Sequence, residues 1–518
     1  MSKAPFYITT PIYYVNDIPH IGHAYCTVVA DVLARYHRLM GVPTLFLTGV
    51  DEHGQKVQAA AEKRGLDPKK HCDEMAENFR AIWKELNISN DIFFRTTDSF
   101  HKKAVQDCLS QLHDAGEIYT KEYEGWYAQA DEIFYTEKDL VDGKAPTGTE
   151  VTKITEKNYF FKMSKYQERL ISHIEKNPGF IEPSYRKNEV LGFLRQPLND
   201  LCISRPKSRL SWGIELPFDR DYVTYVWFDA LLNYATGVGL KQSGKTDEFK
   251  KWWNASPSPV MHLLGKDILT THSVYWPTML MALGLELPRT IYAHGWWLTQ
   301  SNEKMSKSKG TVVKPLDVKN IIGVDALRYF LSRDVRLGND SQFSIELVIN
   351  RVNSELSNNF GNLLSRTCSL IAKYFGGQLP VVEKLSEKSE ALKAVALSTH
   401  TKLEAHLASN ELQEALGVVI DMLTNANQYL ADREPWKMAK TDLPHAGETL
   451  TISLECVRIA AILLTPVMPT KCEELLKRLG GTSGAWSEAS KFLALKPGTV
   501  IANEAPLFMR VELPKAEA

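Results

Sequence analysis

The pattern of apolar residues predicts an α/β fold with a parallel sheet, interrupted by an inserted subdomain and followed by an all-α helical bundle. Three observations lead to this fold class. The chain opens with a strand, a helix and a second strand. The alternation of strands and helices breaks between about 117 and 222. From about 345 onward the pattern is almost wholly helical.

The first 50 residues indicate a strand–helix–strand unit. Residues 6–10 are β-branched and aromatic, which is typical of a buried strand. Apolar residues between 24 and 40 recur with helical spacing, and Gly41 and Pro43 end that helix. Residues 44–48 form the second predicted strand, which stops at Gly49. Such a unit favours a parallel sheet.

The middle of the chain predicts an insertion. Residues 117–222 are rich in aromatic and charged side chains and in turn signals, and strand-like patterns resume at 223–227 and 260–264. Beyond 345, apolar stripes at helical spacing continue through 390–409, 411–431 and 447–464, with a stop at Gly376–Gly377. These stripes predict a bundle of helices.

Composition is that of an ordinary globular protein of 518 residues. The formal net charge of −1 excludes a uniformly basic nucleic-acid binder, although a local basic face stays possible. No apolar stretch is long enough to span a membrane and no signal peptide is visible, so a cytoplasmic protein without membrane contact is expected. The seven cysteines are widely spread without a Cys-x-x-Cys pair, which indicates reduced thiols.

The first candidate motif is His20-Ile21-Gly22-His23, between the first strand and the first helix. A helix N-terminus offers backbone N–H groups and the positive end of a dipole to phosphates. Gly22 leaves room for a base or ribose, and two imidazoles can donate hydrogen bonds to phosphate oxygens. Two histidines without a catalytic role could produce the same sequence pattern, but the placement of the motif between a strand and a helix favours a phosphate site.

The second candidate motif spans 304–310 and reads Lys-Met-Ser-Lys-Ser-Lys-Gly. A solvated basic loop is the simplest interpretation of three lysines among small polar residues. Because the motif follows a second alternating segment, it can face the same sheet edge as the first motif, where α/β sheets bind ligands. This placement favours lysines that contact a pyrophosphate.

Together the two motifs resemble the paired signature of class I aminoacyl-tRNA synthetases, and the wider context is similar to the methionyl-tRNA synthetase family. That context comprises 10–16, 51–54, 225–230 and 265–268, and the similarity extends to about residue 440. It implies a Rossmann-type catalytic domain and a helical anticodon-binding domain. The implied boundaries are 1–116 for the first catalytic half, 117–222 for an inserted connective subdomain, 223–298 for the second catalytic half, 299–345 for the lysine-rich (KMSKS) loop and linker, and 346–518 for the anticodon-binding domain.

The resemblance implies an ATP-dependent ligase that attaches methionine to tRNA(Met) through methionyl-adenylate, for translation initiation and elongation. The substrate carboxylate and a ribose hydroxyl are the nucleophiles, so the protein positions groups and stabilises charge. His20 and His23 would act on the α-phosphate, and Lys304 and Lys307 on the pyrophosphate. Mg²⁺ would bridge the phosphates of ATP, although no carboxylate cluster marks a dedicated site.

The family motifs also map binding residues onto this chain. Those for ATP are His20, Gly22, His23, Gly265, Asp267, Lys304 and Lys307. Those for methionine are Ile12, Tyr14, Asp51, Trp227, Ala230, Leu231, Tyr234, Ile268, His272 and Trp276. Asp51 would pair with the ammonium group, and the i, i+4, i+8 spacing of Ile268, His272 and Trp276 predicts one helix face. Each aromatic residue alone would more often belong to a core, so the assignment rests on the joint pattern.

For tRNA, the resemblance maps Asn362, Arg366 and Trp436 onto the residues that read the anticodon. Stacking on Trp and hydrogen bonds from Asn or Arg suit unstacked loop bases. An ordinary bundle helix would carry the same residues without the family match. Residues 186–209 hold six basic and two acidic side chains, which fits either contact with the acceptor stem or a solvated face.

One departure from the family concerns zinc. Many methionyl enzymes carry zinc-binding cysteine knuckles in the insertion, whereas here 127–131 occupies the knuckle position and no cysteine lies between Cys108 and Cys202. We therefore expect an insertion without structural zinc. An insertion of this size is too small for an editing domain, and the absence of an appended tRNA-binding β-barrel predicts a monomer.

Three alternatives stay open from the sequence. Another class I synthetase, notably the cysteine-specific one, would need zinc ligands for its substrate thiol. A small nucleotidylyltransferase shares the histidine motif but needs no long helical domain. A synthetase-derived tRNA-binding protein without activity would have no need to retain both catalytic motifs.

Overall fold

The computed structural model describes residues 3–128, 133–135, 137–305 and 310–513. Its strands are β1 (Phe6–Tyr14), β2 (Thr44–Asp51), β3 (Ile92–Arg95), β4 (Ile118–Ala128), β5 (Ile133–Tyr135), β6 (Val151–Phe161), β7 (Ile181–Glu182), β8 (Leu201–Cys202), β9 (Ser204–Pro206), β10 (Glu215–Leu216), β11 (Asp219–Thr224), β12 (Val260–Gly265), β13 (Thr290–His294), β14 (Trp297–Leu298) and β15 (Ser341–Gln342).

The α-helices are α1 (Ile21–Leu39), α2 (Gln55–Lys63), α3 (Pro68–Glu85), α4 (Ser99–Asp114), α5 (Gln167–Lys176), α6 (Ser184–Leu194), α7 (Val226–Leu231), α8 (Asn233–Thr236), α9 (Thr246–Trp252), α10 (Trp276–Leu283), α11 (Pro315–Ile322), α12 (Val324–Arg333), α13 (Ile345–Arg351), α14 (Asn362–Phe375), α15 (Glu387–Ala408), α16 (Leu412–Arg433), α17 (Pro435–Met438), α18 (Leu443–Leu464) and α19 (Pro469–Arg478). π-Helical segments cover Thr271–Tyr275 and Val352–Gly361. None of the described helices is long and apolar enough to cross a membrane.

Two compact units make up the chain. The first comprises Met1–Pro19, Pro43–Lys84 and Ser89–His294, and the second comprises His20–Val42, Glu85–Ile88 and Gly295–Ala518. The first unit therefore contains the strands from β1 to β13, whereas α1 belongs to the second unit with the C-terminal helices. The boundaries that the sequence predicts divide the chain differently and stay a prediction.

A parallel sheet forms the centre of the first unit, which confirms the predicted fold class. Its strand order is β3-β2-β1-β12-β13-β7, and all of its neighbours are parallel. Strands from the two halves of the sequence meet where β1 pairs with β12. Since α/β sheets bind ligands at the carboxyl ends of strands at such a switch point, Tyr14, Asp51 and Gly265 end their strands where a site is expected.

Both N-terminal strands are longer than the sequence predicts. β1 continues through Pro11 to Tyr14, with a register shift between Thr9 and Ile12, because proline cannot donate to the ladder and is accommodated at a bulge. β2 does not stop at Gly49, since its pairing with β3 continues from Gly49 to Val50.

The predicted insertion contains an antiparallel sheet with strand order β5-β4-β6-β8. β7, which is also part of that segment, pairs instead with β13 at the edge of the parallel sheet. The strand predicted at 223–227 is correct only at 223–224: β11 ends at Thr224 in a separate antiparallel sheet, and α7 begins at Val226. A short apolar run fits a buried helix as well as a strand, which explains the error.

Helices dominate the C-terminal part of the second unit, as predicted. The patterns at 390–409, 411–431 and 447–464 correspond to α15, α16 and α18. α14 ends at Gly376, whose backbone is left-handed with φ of 60°. Beyond Arg478, the described residues up to 513 contain only a 3₁₀ turn at Trp486–Glu488, so the helical pattern ends well before the C-terminus.

A buried guanidinium fixes α1 within the second unit. Arg328 on α12 is fully buried and pairs with Asp31 on α1 at 2.7 Å. Its remaining donors bond to the backbone carbonyls of Leu86, Asn87, Pro466 and Val467. Every side of this cation is therefore satisfied without water.

Replacing Arg328 with methionine should lower the free energy of unfolding by about 3–5 kcal/mol, because it leaves three backbone carbonyls without this donor and leaves Asp31 paired with Arg35 alone. Thermal unfolding followed by circular dichroism measures the change. The matched control is Arg336→Met, since Arg336 is 61% exposed and its ion pairs with Glu411 and Glu414 are worth about 1 kcal/mol or less. Equal shifts for the two variants would contradict this account.

Candidate active site

The histidine motif forms a reciprocal cap at the start of α1. The backbone N–H of Gly22 donates to Nδ1 of His20 at 3.1 Å, and the backbone N–H of His20 donates to Nδ1 of His23 at 3.3 Å. The two rings stack with centroids 3.7 Å apart. Because each Nδ1 accepts a hydrogen bond, each neutral ring carries its proton on Nε2. Both histidines are therefore fixed as Nε2–H donors beside a helix N-terminus.

Gly22 is required for this arrangement. A Cβ atom at position 22 would lie 2.9 Å from Cε1 and 3.1 Å from Nδ1 of the His20 ring. Any side chain at this position would therefore displace the ring that caps the helix. The glycine therefore makes room for the ring of the adjacent histidine.

The segment after the lysine-rich loop reaches the same helix start. The backbone N–H of Ile21 donates to the carbonyl of Val313 at 2.9 Å. Lys304 pairs with Leu298 in an isolated β-bridge, and its ammonium lies 3.9 Å from the centroid of the Trp296 ring. Lys307, the other predicted catalytic lysine, lies outside the described residues.

Five predicted methionine-binding residues form a group of rings in the first unit, here called the aromatic cup. Trp227 contacts both Tyr14 and His272 edge to face, with centroids 6.3 Å apart in each case. Tyr234 packs against His272 and Trp276, with centroids 5.7 and 6.1 Å away. The structure thus brings Tyr14, Trp227, Tyr234, His272 and Trp276 together. The other apolar residues of the prediction are buried or half-buried: Ile12, Ala230, Leu231 and Ile268.

Hydrogen bonds fix the proton positions in the cup. Nδ1–H of His272 donates to the carbonyl of Ile268 at 3.0 Å, so Nε2 accepts the Tyr234 hydroxyl at 2.8 Å. Behind it, the indole N–H of Trp276 donates to Nε2 of His262 at 3.1 Å, and Nδ1 of that ring therefore carries the proton directed to Thr9. Each imidazole has a single tautomer that satisfies its neighbours.

Burial keeps both imidazoles uncharged. It lowers the pKa of His272 to about 4, against an opposing effect of the Ile268 carbonyl. Burial, with His272 nearby, lowers the pKa of His262 well below its ordinary value. The cup is therefore electrically neutral at the pH of the cell.

Ile268, His272 and Trp276 do not share one regular α-helix face, contrary to the prediction. Ile268 ends a 3₁₀ turn, His272 lies in the π-helical segment Thr271–Tyr275, and Trp276 begins α10. The Ile268 carbonyl accepts the His272 side chain, a bond that α-helical spacing alone does not predict. His272 and Trp276 nevertheless both reach Tyr234.

A buried carboxylate stands beside the cup. Asp51 is 2% exposed and is the register partner of Tyr14 across β1 and β2. The residues after it are firmly held: the Glu52 carboxylate pairs with Arg95 and accepts from Thr97, and the Glu52 carbonyl accepts from the Trp212 indole at 2.5 Å. Asp51 thus ends β2 directly before a segment that is held by these contacts.

Asp267 follows β12 at the same edge of the sheet. It is exposed, and a Cβ atom on Gly265 would lie 2.5 Å from its carboxylate oxygen. Glycine at 265 therefore allows this carboxylate to fold back against the backbone. The arrangement suits an acceptor for ribose hydroxyls.

Sequence reasoning missed the residues that support the cup. His262 lies on β12 directly behind Trp276, and His53, His101 and Asp229 form a buried cluster below the turn that carries Asp51. Buried histidines carry no distinctive local pattern, so only the three-dimensional contacts identify them. Two signals were available: a polar residue inside an apolar strand, as in Met261-His262-Leu263, and the position of His53 and Asp229 within 51–54 and 225–230, which carry the family resemblance.

Among the helices of the second unit, the predicted anticodon residues are close and accessible. The Arg366 guanidinium lies 5.3 Å from the centroid of the Trp436 ring, and both side chains are half-buried. Asn362 is exposed one turn earlier on α14. The three residues therefore offer a ring, a cation and an amide on one part of the helical region.

The basic run at 186–209 is not a continuous solvated face. Arg205 is 4% exposed and packs on Tyr225, and Arg209 packs on Tyr127. Lys207 pairs with Glu215, and Arg186 pairs with Glu189. Four of the six basic side chains therefore have a partner within the protein, although only Arg205 is buried.

No group of three metal-ligating side chains occurs in residues 3–128, 133–135, 137–305 and 310–513. Within the segment that occupies the zinc-knuckle position, Gln129, Ala130 and Asp131 lie outside the described residues. All seven cysteines are free thiols, and six of them are buried.

Family models match nearly the whole chain. The family described as class I tRNA synthetases (M) matches residues 6–153 and 146–368, and the anticodon-binding domain of methionyl-tRNA ligase matches residues 379–517. A methionine–tRNA ligase of Caldanaerobacter subterraneus is 44% identical, over 99% of this chain and 80% of its own length. A methionine–tRNA ligase of Rickettsia felis is 42% identical, over 98% of this chain and 99% of its own.

Solved structures agree with these sequence matches. Methionyl-tRNA synthetase of Mycobacterium tuberculosis in complex with methionyl-adenylate superposes with a TM-score of 0.92 and 39% identity, over 98% of this chain and 100% of that one. The apo form of the same relative gives a TM-score of 0.86 and 37% identity, over 99% of both chains.

Neutral His272 makes stability depend on pH. The pKa of its ring is about 4 in the folded protein and about 6.5 when unfolded, so between these values the unfolded chain binds more protons and stability falls as pH falls. From about pH 7 to about pH 5 this group alone should remove roughly 2 kcal/mol from the free energy of unfolding. Urea unfolding at the two pH values measures the loss.

His272→Gln should make that loss smaller, because glutamine does not titrate. The control is His113→Gln, which replaces an exposed imidazole and so shows whether the loss of any histidine has the same effect. A His272→Gln protein with the full wild-type pH dependence would show that this ring is not the titrating group.

Proposed function

The chain belongs to the methionyl family of class I tRNA synthetases, and we propose that its aromatic cup binds methionine while its histidine and lysine motifs act on ATP. The enzyme is a methionine–tRNA ligase that activates methionine with ATP and charges tRNA. The observation that carries the assignment of the site is a neutral, aromatic cup with a buried carboxylate beside it.

Two displacements make up the reaction. A carboxylate oxygen of methionine attacks the α-phosphorus of ATP, the bond from that phosphorus to the bridging oxygen breaks, and pyrophosphate leaves. The 2′-hydroxyl of the terminal adenosine of tRNA then attacks the carbonyl of methionyl-adenylate, and AMP leaves. No protein nucleophile is needed, so rate acceleration comes from positioning and charge stabilisation.

Methionine is recognised through one charge and one apolar side chain. Asp51 receives the ammonium group, which suits a buried carboxylate at the end of a strand. Tyr14, Trp227, Tyr234 and Trp276 enclose the thioether, whose polarisable sulfur packs well against aromatic edges. Ile12, Ala230, Leu231, Ile268 and His272 complete the walls.

ATP is recognised by donors that match the charge developing in the transition state. The Nε2–H groups of His20 and His23 donate to the α-phosphate, and Gly22 keeps both rings in place. Lys304 and Lys307 stabilise the pyrophosphate as it leaves. Asp267 accepts hydrogen bonds from the ribose hydroxyls, beside Gly265.

Mg²⁺ enters with its substrate, as MgATP. The described residues hold no cluster of carboxylates for a resident ion, and Mg²⁺ is commonly bound through substrate phosphates and water. Zinc does not fit the insertion, because thiolate ligands are absent from 109–201. Metal analysis that found one zinc per chain would contradict this part of the proposal.

The helical region reads the anticodon of tRNA(Met). Trp436 stacks on an unpaired base, while Asn362 and Arg366 bond to base edges. The enzyme works in the cytoplasm as a monomer. Its mass in solution, measured by light scattering with and without tRNA, tests the last statement.

The decisive experiment is ATP–pyrophosphate exchange with each of the twenty amino acids, without tRNA. Exchange that depends on methionine alone supports the proposed site. Exchange with another amino acid, such as cysteine, would support the proposed reaction but would contradict the assignment of the cup to methionine. No exchange with any amino acid, together with tRNA binding, would favour a synthetase-derived RNA-binding protein.

Gly22→Ala should slow exchange by roughly 100-fold, because the added Cβ atom displaces His20 by a distance that matters for catalytic geometry. Steady-state exchange kinetics at saturating methionine measure the loss, and circular dichroism checks the fold. The effect should fall on the turnover rate more than on the KM for methionine.

Gly192→Ala is the matched control for this variant. Gly192 is also helical, lying on α6, and a methyl group added there would have no neighbour within 4 Å. The Gly192→Ala enzyme should catalyse ATP–pyrophosphate exchange at the wild-type rate. A Gly22→Ala enzyme as active as this control would show that the position of the His20 ring is not important.

A further inference from the structure

A buried carboxylate below the cup holds two imidazoles. Oδ2 of Asp229 accepts a hydrogen bond from Nδ1 of His53 at 2.6 Å, and Oδ1 accepts one from Nε2 of His101 at 2.7 Å. Nδ1 of His101 in turn bonds to the Thr236 hydroxyl at 2.8 Å. Asp229, His101 and Thr236 are fully buried, and His53 is 3% exposed.

The charge of Asp229 is stable inside this cluster. Burial by itself would raise the pKa of its carboxyl group, but the two imidazoles outweigh burial and lower the pKa to about 2. Asp229 is therefore ionised at every pH at which the enzyme works. Both of its oxygens are occupied by N–H donors from different parts of the fold.

The cluster connects the two elements that contact methionine. His53 lies two residues after Asp51, on the turn between β2 and α2. Asp229 lies on α7 two residues after Trp227 and directly before Ala230. The hydrogen bond between His53 and Asp229 therefore joins the segment next to Asp51, which would bind the ammonium group, to α7, which carries Trp227 beside the thioether.

We propose that Asp229 is a positioning residue that sets the spacing between Asp51 and Trp227 by binding His53 and His101. The inference rests on the proposed function of the cup. The ammonium and the thioether of methionine are only one short side chain apart, so both can be bound only if the two elements keep a fixed separation. His101, oriented by Thr236, fixes the second oxygen and prevents the carboxylate from rotating.

Asp229→Ala removes both hydrogen bonds and should raise the KM for methionine by about 10-fold or more, with the KM for ATP changed by less than about 2-fold. Asp229→Asn should retain part of the methionine binding that Asp229→Ala loses. His101 can move its proton to Nδ1, donate to Thr236 and accept the asparagine N–H through Nε2. A KM for methionine between those of wild type and Asp229→Ala is the expected result.

A second measurement separates spacing from general damage to the cup. 4-(Methylthio)butanoate keeps the thioether and the carboxylate of methionine but lacks the ammonium group. Its inhibition constant should rise by less than about 3-fold in Asp229→Ala, since it does not bridge Asp51 and the cup. If the constants for methionine and the butanoate rise together, the cup itself is disturbed and the inference is overturned.

The matched control is Glu455→Gln. Glu455 is another fully buried carboxylate, paired with Arg458 at 2.8 Å on α18 in the second unit. It should lose stability while the KM for methionine stays at the wild-type value. A KM that rises as much in this control would show that loss of stability alone weakens methionine binding, and would overturn the inference.

His101→Phe keeps the test decisive if Asp229→Ala does not fold. This variant keeps a ring in the same space and keeps the hydrogen bond from His53 to Asp229. A selective rise in the KM for methionine therefore supports the inference, and an unchanged KM overturns it. A wild-type protein without methionine-dependent exchange would instead overturn the proposed function, before any variant is compared.

Discussion

Hydrogen bonds that fix the proton positions of the imidazoles determine what each part of the proposed site can offer. His20 and His23 accept backbone N–H groups through Nδ1 and are left as Nε2–H donors. His272 donates to a carbonyl and accepts a hydroxyl, so its ring has no hydrogen-bonding capacity to spare. Histidine therefore acts as a hydrogen-bond donor at the start of α1 and as a neutral wall in the cup. The difference depends on which ring nitrogen the neighbouring groups bond.

Buried charges have a different purpose, which is to join segments that are distant in sequence. Arg328 connects α1 with the turns at 86–87 and 466–467, and Asp229 connects the segment after β2 with α4 and α7. A buried ion is tolerated only when each of its polar atoms has a partner.

The sequence predicted the parts of the fold that follow from local periodicity. β12, α15, α16 and α18 agree with their patterns, and the parallel sheet follows from the strand–helix–strand unit. It failed where tertiary contacts override periodicity: at 223–227, where an apolar run forms a helix, and at Thr271–Tyr275, where the helix is π-wound. His262 and Asp229 were missed because their roles depend on partners that are distant along the chain.

The closed network of the cup also accounts for the choice of a thioether on the proposed assignment. A side chain with a hydroxyl or amide would enter a cup in which both nitrogens of His272 and the indole N–H of Trp276 are already bonded. Its polar group would lose water without gaining a partner, at a cost of about 1–3 kcal/mol for each unmet donor or acceptor. A thioether makes almost no such demand, since sulfur is a weak acceptor and gains from contact with rings. On this assignment, the bonded atoms of His272 and Trp276 contribute to selectivity, because they leave a polar side chain without a partner on that side of the cup.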